Sequence, residues 1–380
     1  MIYVISDNII SPLGYTTEEN LSSMKEGKLK SQLHHHVFDL PEPYFGAFLD
    51  WSEIETRFQK IDSQKKIRYT KFEKLAILSA YDAIQLADID AKQSDVLFVL
   101  SSTKGNINLL ENIDGYDRNR INMGVSAELI GQFFLNPNPV MVVSNACTSG
   151  VAAQIYAKEM MELKGYRYAV VIGADILSKF VISGFQSFKA LSTERCKPFD
   201  ANRKGLNIGE AAATMVLEQN NTIPSGKCTI LGTGNRNDAN HISGPSRTGE
   251  GLFNDITAAI SQAKATPHKL AFISAHGTAT PYNDDMESWA ISRSLLSDIY
   301  TNSLKGYFGH TLGAAGILEC IVSCHELKTK HLFPTIGHEI KGVVKEMTVN
   351  TSYREIDGDA FLKIISGFGG SNAAIIYGLK

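Results

Sequence analysis

Apolar runs of strand length alternate along this chain with helix-length amphipathic segments, and a comparable order resumes after the polar turn cluster Asn220-Asn221-Thr222-Ile223-Pro224-Ser225-Gly226. That alternation confines the fold to α/β architectures of stacked sheets covered by helices, because each strand must bury its faces against the connections between strands. Before the cluster the strand-like runs are Ile2 to Ile5, Val96 to Leu100, Val140 to Val143, Ala169 to Ile172 and Ala213 to Leu217. After it come Cys228 to Leu231, Leu270 to Ile273, Phe361 to Ile365 and Ala373 to Tyr377. Thr17 with Glu18 and Glu19 opens a helix that Gly27 ends, and Thr70 followed by Glu73 has capping-box spacing ahead of Leu75-Ala76-Ile77-Leu78. Further helices are expected near Thr148, from Leu252 to Ala263, after Asp284 and after His310. Two halves of similar order, residues 1–220 and 221–380, predict an internal duplication although no repeat is visible residue by residue.

Within this frame, Ser144-Asn145-Ala146-Cys147-Thr148-Ser149-Gly150 puts a cysteine where a strand turns into a helix. Unpaired N–H groups and the positive end of the macrodipole at a helix start bias a thiol toward the thiolate, the nucleophilic form. A lone cysteine is more often a small buried hydrophobe. Two later segments reverse that balance. Ser274-Ala275-His276-Gly277-Thr278-Ala279-Thr280-Pro281 follows a strand, and Lys305-Gly306-Tyr307-Phe308-Gly309-His310-Thr311 precedes a helix rich in small residues. Each holds a histidine at an element junction, so Cys147, His276 and His310 make a nucleophile with two imidazoles.

The chain resembles a β-ketoacyl-acyl carrier protein synthase of the two-histidine, decarboxylating kind. The likeness is carried by five ordered motifs: Asn8 to Gly14, the cysteine run, Lys197-Pro198-Phe199-Asp200 with Gly205 to Glu210, the two histidine segments, and Ser366-Gly367-Phe368-Gly369-Gly370-Ser371-Asn372. It implies a thiolase-like five-layer αβαβα fold with two pseudo-duplicated halves, the first carrying the nucleophile and the second both histidines. It also implies that Cys147 holds the acyl group while His276 and His310 hydrogen-bond the malonyl thioester oxygen as carbon dioxide leaves. In the same resemblance Lys305 and Glu319 form a buried supporting ion pair, and the Cys147 and Phe368 N–H groups form a second oxyanion hole. Phe368 gates the site, and Thr278 and Thr280 bind the phosphopantetheine arm of the carrier-bound substrate, with no separate cofactor. Lys65, Lys66 and Arg68 form a basic cluster expected to dock an acidic acyl carrier protein.

Departures from the family pattern mark a specialised branch. The stretch from Gly105 to Cys147 is short, Ser366 stands where an aromatic is usual, and Ala211-Ala212 replace a glycine pair. A degradative thiolase would carry a second cysteine near the closing glycine loop, and none follows Cys324. A chain-length-factor-like subunit would lack the nucleophile. A homodimer is expected, with a heterodimer with a paralogue as the alternative, in primary fatty-acid or specialised polyene synthesis.

The formal net charge of −3 gives no support to a nucleic-acid partner. No apolar run reaches the roughly 18–20 residues of a membrane span. Five cysteines without disulfide-like spacing fit a reducing cytoplasm, and His34-His35-His36 lacks partner ligands, so no metal is expected.

Overall fold

The computed structural model of the protein describes residues 1–62, 66–238, 240, 244–264 and 268–380. Five strands of the first half, β1 (Ile2–Ile10), β2 (Val96–Ser101), β3 (Met141–Val143), β4 (Tyr168–Asp175) and β5 (Ala211–Gln219), lie side by side in the order β1-β5-β4-β2-β3. The second half supplies β6 (Cys228–Asn237), β7 (Leu270–Ser274), β8 (Thr301–Asn302), β9 (Ala360–Gly367) and β10 (Ser371–Leu379), in the order β6-β10-β9-β7-β8. The two orders are the same permutation. Strand directions also match, since β1/β5, β5/β4, β6/β10 and β10/β9 are antiparallel while β4/β2, β2/β3, β9/β7 and β7/β8 are parallel. One antiparallel pair, Tyr3 with Thr229, joins the halves edge to edge.

Alternation along each strand divides the core into layers. On β5, Ala211, Ala213, Met215 and Leu217 face a central apolar cluster, whereas Ala212 and Val216 join an outer cluster. On β9, Phe361 and Ile365 face the centre, and Leu362 and Ile364 face the opposite outside. Helix α1 (Lys71–Ala87) covers the outside of the first half, and α3 (Glu250–Ala263) with α4 (Pro281–Arg293) covers the second. Between the sheets run α2 (Ser149–Lys164) and, after the single turn α5 (Lys305–Phe308), α6 (Ala315–Thr329). This is the thiolase-like, five-layer arrangement expected from the sequence.

The two central helices cross at glycines. A Cβ on Gly150 would lie 2.8 Å from the Ile317 nitrogen, and one on Gly316 would lie 2.5 Å from the Val151 nitrogen. Only paired glycines allow that approach, and it sets the start of α2 beside the start of α6.

Local signals produce the expected local results. The Thr70 side chain accepts from the Glu73 N–H while Glu73 caps the Thr70 N–H, a complete capping box on α1. Helix α4 begins earlier than expected, at Pro281 rather than after Asp284, because proline at the first helical position has its φ preset and needs no hydrogen-bond partner. That shift turns Asp284 and Glu287 back toward the preceding histidine loop.

Candidate active site

Cys147 sits on a strained turn between β3 and α2. Ala146 takes a left-handed backbone conformation (φ 47°), and the turn closes through the Thr148 N–H to Asn145 O at 3.2 Å and the Asn145 N–H to Ser149 Oγ at 2.7 Å. The end of β9 presses against it from the second half, since a Cβ on Gly367 would lie 3.0 Å from the Cys147 nitrogen. The next residue, Phe368, donates its backbone N–H to the thiol. The expectation of a thiolate-biased cysteine is corrected here. Cys147 is 7% exposed, and burial pushes its thiol up to about 11 against the pull of Lys305, Lys104 and the Phe368 N–H. Desolvation outweighs the helix terminus.

The His276 loop is held by carboxylates of α4. Glu287 accepts the His276 and Gly277 N–H groups at 2.6 and 2.7 Å, and Asp284 accepts the Thr278 N–H at 3.0 Å. Burial lifts Glu287 to about 7 and Asp284 to about 6. His310 is held by the Gly205 to Glu210 motif: its N–H donates to Asn207 O at 2.7 Å and its carbonyl accepts the Gly209 N–H at 3.0 Å. Gly209 is required there, because a Cβ would lie 2.1 Å from the Phe308 carbonyl oxygen.

Both rings are buried, at 2% and 1% exposure, with centroids 5.0 Å apart in an edge-on arrangement. One ligating atom each of Cys147, His276 and His310 lies within 4.8 Å of the other two. Burial, then the Lys305 ammonium, hold both histidines well below the ordinary value, so both are neutral near pH 7. His310 Nδ1 accepts the Leu312 N–H at 3.2 Å, which places the ring proton on Nε2, and that buried nitrogen has no hydrogen-bond partner among the described residues. His310 therefore carries an unused N–H donor.

Behind the rings, Lys305 and Glu319 are paired and buried, as the sequence implied. A third member was missed: Lys363 of β9 meets Glu319 Oε2 at 2.6 Å and is fully buried. A lysine on the inward face of an otherwise apolar strand was its sequence signal. Asp175, at the end of β4, was also missed; it accepts from Ser102 Oγ (2.7 Å), Thr103 N (2.9 Å), Lys104 N (3.2 Å) and Gly313 N (2.7 Å), tying the first half to the segment after His310.

A cavity of about 530 Å³ leads to Cys147, His276 and His310 and is lined by Thr278, Thr280 and Phe368. The Thr278 and Thr280 hydroxyls bond each other at 2.8 Å. Phe368 packs on Phe188 and Phe185, with ring centroids at 5.1 and 5.8 Å, and Phe185 packs on His310. Ser366, where an aromatic is usual, bridges its hairpin to Asn372 at 2.7 Å. Of the proposed docking cluster, Lys65 lies outside the described residues. Lys66 and Arg68 do not line this cavity: Lys66 borders a separate one, and Arg68 pairs with Asp114 at 2.9 Å. The basic residues at the active-site cavity are Lys189 and Lys204. His34 contacts the Gly46 carbonyl at 3.1 Å and packs on Tyr44 and Phe48, which gives it a structural place.

The thiolase-like fold thus gathers a thiol and two neutral imidazoles at one cavity, the arrangement of a candidate acyltransferase site. Residues 2–222 match the N-terminal domain, and residues 227–339 the C-terminal domain, of the beta-ketoacyl synthase family. The chain belongs to that family of condensing enzymes. It is 26% identical to 3-oxoacyl-acyl-carrier-protein synthase 2 of Vibrio harveyi over 99% of this chain and 98% of that one. It is 34% identical to the tetracenomycin polyketide synthase ketoacyl synthase alpha subunit of Streptomyces glaucescens, over 63% of this chain and 59% of that protein. Among solved structures, the ketosynthase ApeO in complex with its chain length factor ApeC from Xenorhabdus doucetiae superposes with a TM-score of 0.85 at 22% identity, covering 100% of this chain and 98% of that one. The ishigamide ketosynthase/chain length factor gives 0.84 at 24% identity, covering 100% and 99%.

Proposed function

We propose that the protein takes an acyl group onto Cys147 and condenses it with a malonyl group carried on an acyl carrier protein. In the first half-reaction the Cys147 sulfur attacks the acyl thioester, its proton passes to the departing phosphopantetheine thiol, and the acyl–Sγ bond forms. In the second, the malonyl carboxylate leaves as carbon dioxide and its bonding electrons move to the thioester oxygen. Neutral His276 and His310 donate N–H groups to that oxygen, each worth about 3 kcal/mol to the transition state. The enolate carbon then attacks the acyl carbonyl on Cys147, whose oxygen lies against the Cys147 and Phe368 N–H groups. Collapse returns the thiolate and leaves a 3-oxoacyl thioester. The observation that carries this reading is the His310 tautomer, a buried ring whose proton sits on a nitrogen without a partner among the described residues.

Lys305 and Glu319 support the rings electrostatically, Thr278 and Thr280 bind the phosphopantetheine arm, and Phe368 swings on its flanking glycines to admit it. In this reading residues 1–220 supply the nucleophile and residues 221–380 the imidazoles, and the enzyme works in the cytoplasm. Lys66 and Arg68 steer the carrier protein, which meets Lys189 and Lys204 at the cavity lip. Charge reversal at either pair should raise the apparent KM for carrier-bound substrate, and unchanged carrier kinetics would remove that pair from the docking face.

Intact-mass analysis after incubation with a panel of acyl carrier thioesters tests the function directly. An acyl adduct on Cys147 that disappears on adding malonyl carrier is expected, and no adduct from any thioester would refute the reading. The protein is proposed to act as a homodimer. Solved neighbours that pair a ketosynthase with a chain length factor favour a second reading, in which this chain is the catalytic half of a heterodimer. Light scattering on the chain expressed alone separates them, since an inactive monomer activated by a co-expressed paralogue would exclude the homodimer.

A further inference from the structure

Lys363 takes no part in the steps above, yet it stands where the catalytic segments meet. Its neighbours on the same face of β9, Phe361 and Ile365, belong to the central apolar layer. An ammonium buried there without partners would be strongly unfavourable. It has two partners, Glu319 Oε2 at 2.6 Å and the Ala275 carbonyl at 3.0 Å. Ala275 immediately precedes His276, and Glu319 lies on α6, which follows His310. Lys305, paired with the other Glu319 oxygen, opens the turn that leads into His310. One side chain therefore ties the His276 loop to the His310 segment, and its own strand runs on into Gly367 and Phe368.

The charge count points the same way. Within the ion-pair cluster one lysine would neutralise Glu319, and two leave one cation in excess of carboxylate directly behind the imidazoles, with Glu287 of α4 beside it as a partly neutralised carboxyl. We propose that Lys363 is a positioning residue for the condensation, holding the two histidine segments in register and supplying the surplus buried charge that favours an enolate at the imidazole N–H groups. This rests on the function proposed above.

The charged and titratable groups around the two rings are Cys147, Lys305, Glu319 and Lys363, with Glu287 and Asp284 on α4 and Asp175 at the end of β4. Both ammoniums disfavour ring protonation. Protonation of His310 would also put a hydrogen on Nδ1 and break its bond from the Leu312 N–H. Removing the Lys363 charge therefore raises the pH at which each ring protonates, and the acid limb of decarboxylation moves up.

Three variants divide the role. Lys363→Gln keeps a donor toward Ala275 without the charge, Lys363→Met removes both, and Lys363→Arg keeps both. Carbon dioxide release from malonyl carrier and acyl uptake by Cys147 are followed separately across the histidine titration range. For Lys363→Gln, decarboxylation should fall about tenfold with its acid limb raised by about half a unit or more, while acyl uptake changes about twofold or less. Lys363→Met should lose more, and Lys363→Arg should restore the acid limb. Equal losses in both half-reactions with an unmoved acid limb would make Lys363 an ordinary core residue and overturn the proposal. If Lys363→Met does not fold, the Gln and Arg variants carry the comparison. If the wild-type protein takes no acyl group, the functional reading fails by itself. The positioning claim is then read from 15N titrations of His276 and His310 in wild type and Lys363→Gln, where unchanged midpoints would overturn it.

Discussion

The two halves place their reactive groups at the same addresses, the carboxyl ends of three adjacent parallel strands, but bury charge there in opposite ways. In the first half β2 leads to Ser102 and Thr103, β3 to Cys147 and β4 ends on Asp175, whose buried carboxylate is satisfied by hydroxyl and backbone donors. In the second half β7 leads to His276, β8 to Lys305 and His310, and β9 to Gly367 and Phe368, with two lysines on one glutamate beneath. A carboxylate held by dipoles brings no cation of its own to the thiol, and burial raises Cys147 against the pull of Lys305 and Lys104. A carboxylate held by two ammoniums leaves that cluster with a positive surplus, and burial together with that charge keeps the imidazoles neutral. One topology thus supplies two electrostatic environments, since strand order sets where a side chain stands while local partners set its charge.

Deleting the first half's single reactive group should give the largest effect. Cys147→Ser is expected to lower condensation by about a thousandfold or more, because a serine hydroxyl is scarcely ionised near neutral pH and the two neighbouring imidazoles serve the proposed reaction as N–H donors rather than as bases toward residue 147. Product formation near the wild-type rate would break the assignment. In the second half, His276→Ala and His310→Ala should each reduce malonyl decarboxylation by about 10²- to 10³-fold while slowing acyl uptake less. Single-turnover assays of acyl-Cys147 and carbon dioxide decide this, and equal losses in the two steps would abolish the division of labour between halves.

The raised thiol makes a pH prediction of definite sign. With Cys147 at about 11, the thiolate fraction of the free enzyme grows about tenfold per pH unit throughout the neutral range. Alkylation by iodoacetamide should follow that slope, and a plateau near neutral pH would show that the pull of Lys305 and Lys104 outweighs burial at the sulfur. The smallest expected effect tests the joint between the halves. Gly150→Ala puts a methyl against the backbone of α6 and should lower stability by about 1–3 kcal/mol in chemical denaturation, with the fold retained.

How far these features were legible depended on how local their causes are. The capping box of Thr70 and Glu73 spans one helical turn, and it formed as read. The strand-turn-helix site of Cys147 was legible for the same reason, as was the sequence of strands and helices in each half. The Lys305–Glu319 pair was accessible only through family resemblance. Asp175 and Lys363 were passed over because their partners lie far away in sequence: Asp175 is bound to Gly313 and Lys363 to Ala275 and Glu319.

By itself the sequence determined the alternating order of elements, the caps and tight turns, and which thiol and two imidazoles are the candidates for the chemistry, all of which follow from residue type and short-range spacing. Only the tertiary structure decided their chemical states. Desolvation by burial raised Cys147 against its helix terminus, the Leu312 N–H selected the His310 tautomer, and the close crossing at Gly150 and Gly316 brought two helix starts from separate halves to one cavity. Burial and charge depend on everything that surrounds a group in space, and for Cys147 that includes Lys305 and Phe368 from the second half of the chain.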